Sequence, residues 1–236
     1  DALISAPEIG ALAFVGGRAN GRKAATTLAD TGKRHFLEQE GLNAWGIWDF
    51  SDWSALEGHL KKGFEYAKQR CTAYPRYVVQ RELFPEFLET YLPVAQSLRF
   101  GHPLAVENAG EDLPELDFGP VIHATKAAEL RERYAEAVAG GGIPLYHGGL
   151  EAGRFLDGQD TGAYLAPACV LNPPSNWSPH QAEPLGPLDP VVSVHNAATM
   201  PAAGTAPHAP PAAAGAHPTH APSRPSSAAA QAVERR

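Results

Sequence analysis

An α/β layered fold is what this chain's pattern predicts, on three observations. Short apolar or β-branched runs alternate with longer stretches whose apolar residues recur every three or four positions, as strands interleaved with helices do. Glycine and proline punctuate the ends of those runs, as at Gly16-Gly17 and Pro173-Pro174. Of the 236 residues, 44% are hydrophobic, which suits the core of one large or two modest domains.

The elements follow in order. Ala11 to Val15 (ALAFV) is wholly apolar and stops at a glycine pair, which predicts a buried strand ending in a turn. Helix formers fill 20–29, and 35–37 opens a second strand. Over 53–67, Trp53, Leu56, Leu60 and Phe64 share one helical face. RYVVQ at 76–80 predicts a strand, and 83–98 an amphipathic helix with Pro85 in its first turn and a kink at Pro93. The clearest helix is 128–139, with Leu130, Tyr134 and Val138 at fourfold spacing. A strand-like run at 162–171 precedes the double proline, and no internal repeat is visible.

Composition excludes several classes of function. Twenty-six Asp+Glu against 19 Lys+Arg leave a net charge of -7, opposite to what a nucleic-acid or anionic-membrane partner requires. No apolar window of about 18 residues would cross a bilayer, and residues 1–10 lack the basic patch and apolar core of a secretory signal. The expected location is the cytoplasm, where Cys71 and Cys169 stay as thiols. Residues 195–236 are expected to form a disordered tail. The last 40 residues hold 15 Ala and 7 Pro but no Leu, Ile, Phe, Tyr or Trp, too little apolar surface to offset ordering. His208, His217 and His220 within it read as solvated residues, since Pro218 blocks the helix that would align a metal pair. No metal site is predicted.

Cys71 stands where a helical stretch meets a β-run, flanked in sequence by Lys68, Arg70 and Arg76, whose charge would favour the thiolate. Cys169, inside PACVL, reads as core. A nucleophilic thiol needs a proton acceptor. Glu38 ends the run HFLE before a glycine turn, where an apolar pocket would raise its pKa into the range of a general base; Glu40 competes for the role. Gly16 and Gly17 precede a helix start and could aim backbone N–H groups at a phosphate, though they do not form a full glycine fingerprint.

Together these residues resemble the aldehyde dehydrogenase superfamily in order as well as type. Its glutamate motif is matched at six of eight positions by Leu37-Glu38-Gln39-Glu40-Gly41-Leu42-Asn43-Ala44, missing at Gln39 and Glu40, and this alignment selects Glu38. Its cysteine motif, G-Q-x-C-x-A, appears as Lys68-Gln69-Arg70-Cys71-Thr72-Ala73, with lysine in place of glycine. FVGGRANGR is similar to the family's F-T-G-S-x-x-x-G-R turn. Asp117-Phe118-Gly119-Pro120 is similar to its G-P-x-I segment. Ala182-Glu183-Pro184-Leu185-Gly186-Pro187 is similar to E-E-x-F-G-P.

The resemblance implies a catalytic domain at 41–194, a remnant of a Rossmann-like cofactor domain at 1–40, and the tail beyond. It implies oxidation of an aldehyde, with NAD or NADP as cofactor, through a covalent adduct of Cys71, and Glu38 as the base that activates water. It also assigns Gly16, Gly17, Glu183 and Leu185 to the cofactor, Leu185 standing where the family has an aromatic residue. The intact family's cofactor-binding start and subunit-joining segment have no counterpart here. The chain is therefore expected to be a fragment, its tail a linker or a reading-frame product, and the homo-oligomer expected of the family is not readable from it. Two alternatives stay open: an inactive remnant acting at most as an interaction module, and a cysteine hydrolase or acyltransferase using His59, His102, His123 or His147.

Overall fold

The computed structural model describes residues 2–106, 108, 110–196 and 198, and the chain divides after Gly41 into two units. The expected tail at 195–236, apart from 195, 196 and 198, lies outside the described residues, as do its three histidines.

The first unit holds α1 (Ala2–Ser5), β1 (Ala11–Val15), α2 (Arg18–Leu28) and β2 (Arg34–Glu38). β1 and β2 pair in parallel, Ala11 opposite Arg34 and Val15 opposite Glu38, joined through α2 as parallel strands require. β1 is not the buried strand its composition suggests. Its residues alternate between exposed and half-buried, and Val15 is 73% exposed. The sheet has only two strands, so a fully apolar run is covered on one side alone.

The second unit is built on a five-stranded sheet in the order β3-β4-β7-β6-β5. Its elements are β3 (Trp45–Ile47), α3 (Trp53–Gly63), β4 (Tyr77–Gln80), α4 (Phe84–Ser97), α5 (Ala124–Ala139), β5 (Ile143–His147), β6 (Ala168–Leu171) and β7 (Leu188–Val194). All neighbours are parallel except β5 and β6, which run antiparallel with an irregularity between Pro144 and Tyr146. α3 packs on α4, α4 on β4 and α5 on β6, enclosing a core that includes Leu56, Leu60, Phe87, Tyr91, Leu130 and Val191.

Local chemistry sets the helix ends. Asp52 Oδ1 accepts the Ala55 N–H at 3.0 Å and starts α3. His123 Nδ1 accepts the Lys126 N–H at 3.0 Å, so α5 begins four residues earlier than its apolar spacing indicates. α4 continues across Pro93 rather than stopping there, with Pro85 in its first turn. α3 ends at Gly63 rather than 67 because Tyr66, Ala67 and Lys68 are left-handed, with φ of 57°, 51° and 57°. The strand expected over 162–171 shrinks to Ala168–Leu171; upstream, Ala163 O accepts the Val121 N–H, binding that stretch to a loop instead.

Candidate active site

Cys71 lies in the turn after α3 and is half-buried. Two side-chain amides hold that turn. Asn43 Nδ2 donates to Cys71 O at 2.6 Å and to Ala73 O at 3.0 Å. Gln69 Nε2 donates to Pro120 O at 3.1 Å and to Tyr66 O at 3.0 Å, while its Oε1 accepts the Ile122 N–H at 2.7 Å. The Asn43 and Gln69 contacts join the turn to the end of the glutamate motif and to the loop that follows Gly119. Both residues belong to the glutamate and cysteine motifs, but their bracing role has no separate signal in the sequence.

The electrostatic surroundings differ from the sequence expectation, because the three flanking cations are engaged elsewhere. Lys68 is 1% exposed and its Nζ bonds Asp189 Oδ1 at 2.5 Å. Arg70 pairs with Glu65 at 3.3 Å and donates to Lys62 O, and Arg76 donates to His180 O at 2.8 Å. Sequence adjacency does not measure side-chain direction, and here the left-handed Tyr66, Ala67 and Lys68 turn the chain out of the helical path just before Cys71. Three L-residues in that conformation cost roughly 1–2 kcal/mol each. Cys169, on β6, is fully buried, and burial followed by the charge of Asp189 pushes its thiol well above the usual range. It is an inert core thiol.

Glu183 lies in the loop before β7 and is 5% exposed; Leu185 follows, half-buried or less, with φ of 51°. Gly186 packs closely against α5. A Cβ there would stand 2.2 Å from Leu130 Cδ1 on α5, a contact that forces the leucine, the helix or the loop to move. Cys71 and Glu183 flank one ion pair along the chain, three residues after Lys68 and six before Asp189.

In the first unit, Gly16, Gly17, Glu38 and Glu40 meet at the carboxyl ends of β1 and β2, where open α/β sheets bind ligands. The Gly16 N–H donates to Glu38 O at 3.1 Å, and Gly17 caps α2 with φ of -68°. Glu38 ends β2 exposed rather than in an apolar pocket, because the two-stranded sheet leaves that face uncovered. Glu40 serves the fold: its Oε1 accepts the Arg18 N–H at 3.0 Å, capping α2. A carboxylate oxygen on the first amide of α2 also shows that this terminus, with two glycines beside it, has the donor chemistry to hold a dinucleotide's phosphate oxygens.

The four histidines considered for a cysteine hydrolase are engaged elsewhere. His123 caps α5, His102 Nδ1 accepts the Leu104 N–H at 3.1 Å, His147 stacks on Tyr134 with centroids 4.3 Å apart, and His59 meets Trp45 edge-on at 5.6 Å.

A profile of the aldehyde dehydrogenase family matches residues 1–203. The chain belongs to the aldehyde dehydrogenase family. It is 28% identical over 188 residues to a putative 4-(hydroxymethyl)benzenesulfonate dehydrogenase of Comamonas testosteroni, covering 79% of this chain and 36% of that protein. Among solved structures it superposes with a TM-score of 0.70 on a putative methylmalonate-semialdehyde dehydrogenase of Sinorhizobium meliloti complexed with NAD, at 24% identity, covering 83% of this chain and 38% of that one. An NADP-dependent enzyme of Escherichia coli gives a TM-score of 0.71 at 25% identity, covering 86% and 39%. The chain thus spans little more than a third of the length of these proteins.

Proposed function

We propose that this aldehyde dehydrogenase chain carries the nucleophile and the cofactor contacts of an aldehyde-oxidising enzyme. The observation that supports this best is the family match over residues 1–203, which takes in Cys71 in a half-buried turn braced by Asn43 and Gln69. Cys71 Sγ, as thiolate, adds to the aldehyde carbon and forms a thiohemiacetal. The Cys71 N–H donates to the oxygen as it gains charge, a contact of the kind worth about 3–4 kcal/mol. NAD or NADP, when bound, would supply the hydride acceptor that the oxidation to a thioester requires. Glu38 then takes a proton from water as that water attacks the thioester, releasing the carboxylic acid and regenerating the thiol. Gly16, Gly17 and the α2 terminus would hold the cofactor's phosphate, Glu183 a ribose hydroxyl, and Leu185 would offer an apolar contact.

The test is formation of reduced cofactor, followed by its absorbance, when the full chain meets an aldehyde with NAD+ or NADP+. Activity that vanishes in Cys71→Ala supports the assignment, and activity that survives there refutes it. A chain that binds neither dinucleotide supports the inactive remnant. Ester hydrolysis that depends on the thiol but not on cofactor would favour the hydrolase, against which the engaged histidines speak.

A further inference from the structure

Lys68 occupies the position that the cysteine motif reserves for glycine, and the reason for that preference is visible in its φ of 57°. A lysine there needs compensation, and it is found in the core. Its Nζ bonds Asp189 Oδ1 on β7 at 2.5 Å, Tyr77 Oη on β4 at 3.2 Å and Tyr74 O at 3.2 Å. The ammonium also lies 4.3 Å from the Phe64 ring centroid. Asp189 is completely buried, and its other oxygen accepts the Tyr91 hydroxyl at 2.8 Å. One side chain thus starts three residues before Cys71 and bonds a carbonyl three residues after it, while tying the turn to the centre of the sheet.

We infer that Lys68 is a positioning residue for Cys71, its ion pair with Asp189 holding the left-handed turn that glycine would adopt unaided. The inference rests on the reading of Cys71 as nucleophile, but its test needs neither aldehyde nor cofactor. Two paired variants of the full chain both remove the charges together, so that no buried ion is left alone. Lys68→Met with Asp189→Leu keeps a side chain at the strained position; Lys68→Gly with Asp189→Leu frees the backbone.

The readout is the rate at which iodoacetamide alkylates Cys71, with the urea midpoint as a measure of global stability. The methionine pair is expected to shift the alkylation rate by about tenfold, the scale of one left-handed residue's strain, and the glycine pair to return it toward wild type. A purely structural ion pair would leave both variants less stable but with the same thiol reactivity. An unchanged rate in the methionine pair overturns the inference, as does an equal shift in both pairs or failure of both to fold. A methionine pair that fails to fold beside a glycine pair that folds and alkylates like wild type supports it. Failure here leaves the Cys71 assignment standing, whereas turnover by Cys71→Ala would remove that assignment without touching the brace.

Discussion

At Cys71 and Cys169 the same functional group has two fates, set by burial. Cys169 is enclosed among apolar neighbours beside Asp189, while Cys71 sits half-buried in a turn. Brief iodoacetamide treatment of the folded chain is expected to label Cys71 alone, and peptide mapping that finds label on Cys169 at a comparable rate contradicts this. Glu40 carries a second residue-level consequence. Its carboxylate competes with any phosphate for the α2 terminus, so Glu40→Gly is expected to tighten NAD+ or NADP+ binding by roughly two- to fivefold, from a helix-terminus charge effect of about 0.3–1 kcal/mol. Titration calorimetry checks the sign; weaker binding would mean that Glu40 matters more as the cap that keeps α2 in place. Motif spacing is what singles out Cys71 and Glu38 in the sequence, as the proposed nucleophile and base. The directions of Lys68, Arg70 and Arg76 are not legible there, because those depend on partners up to 121 residues away, as for Lys68 and Asp189.

Among the elements, those with a clean period were readable and those built against their composition were not. α3, α4 and α5 announce themselves by apolar spacing, and β1 and β4 by continuous apolar runs. β7 has the sequence LDPVVSV, and an acid followed by proline argues against a central strand, yet it lies between β4 and β6 with Asp189 satisfied by Lys68 and Tyr91. β3 is three residues long and β5 contains Pro144, so neither offers enough pattern to detect. Packing at Gly186 makes a direct prediction: Gly186→Ala drives a methyl into Leu130 and should lower stability by about 1–3 kcal/mol, read as a fall in the urea midpoint. The buried cluster predicts a pH dependence. Burial raises the Cys169 thiol and the Tyr77 and Tyr91 hydroxyls, so the folded chain keeps protons that the unfolded chain releases above roughly pH 8.5–10. Their stabilisation is present below that range and is lost as pH rises through it. Lys68, lowered by burial against the opposing charge of Asp189, acts in the other direction, one group against three. The urea midpoint should therefore fall between about pH 8 and 10.5, the span in which those groups titrate when unfolded; a midpoint that rises would mean that Lys68 dominates the cluster.

For the whole molecule, charge and chain length set the frame. A net charge of -7 gives the chain no excess of basic residues to offer a nucleic acid, and among the described residues no helix is long and apolar enough to cross a membrane. Fold class was legible because alternating runs report layering, and the family because five short motifs occur in the right order. The two strands of the first unit were legible too, but not their exposure: Phe36 is 61% exposed and Glu38 has no apolar enclosure. The chemistry proposed for this chain turns on an acyl group that passes through the sulfur of Cys71. Its most direct test is mass spectrometry of the full chain quenched after mixing with an aldehyde and NAD+ or NADP+. The Cys71 peptide should gain the mass of the aldehyde less two hydrogens, with the adduct accumulating in Glu38→Gln. An adduct on Cys169, or reduced cofactor formed while Cys71 stays unmodified in both proteins, would contradict it.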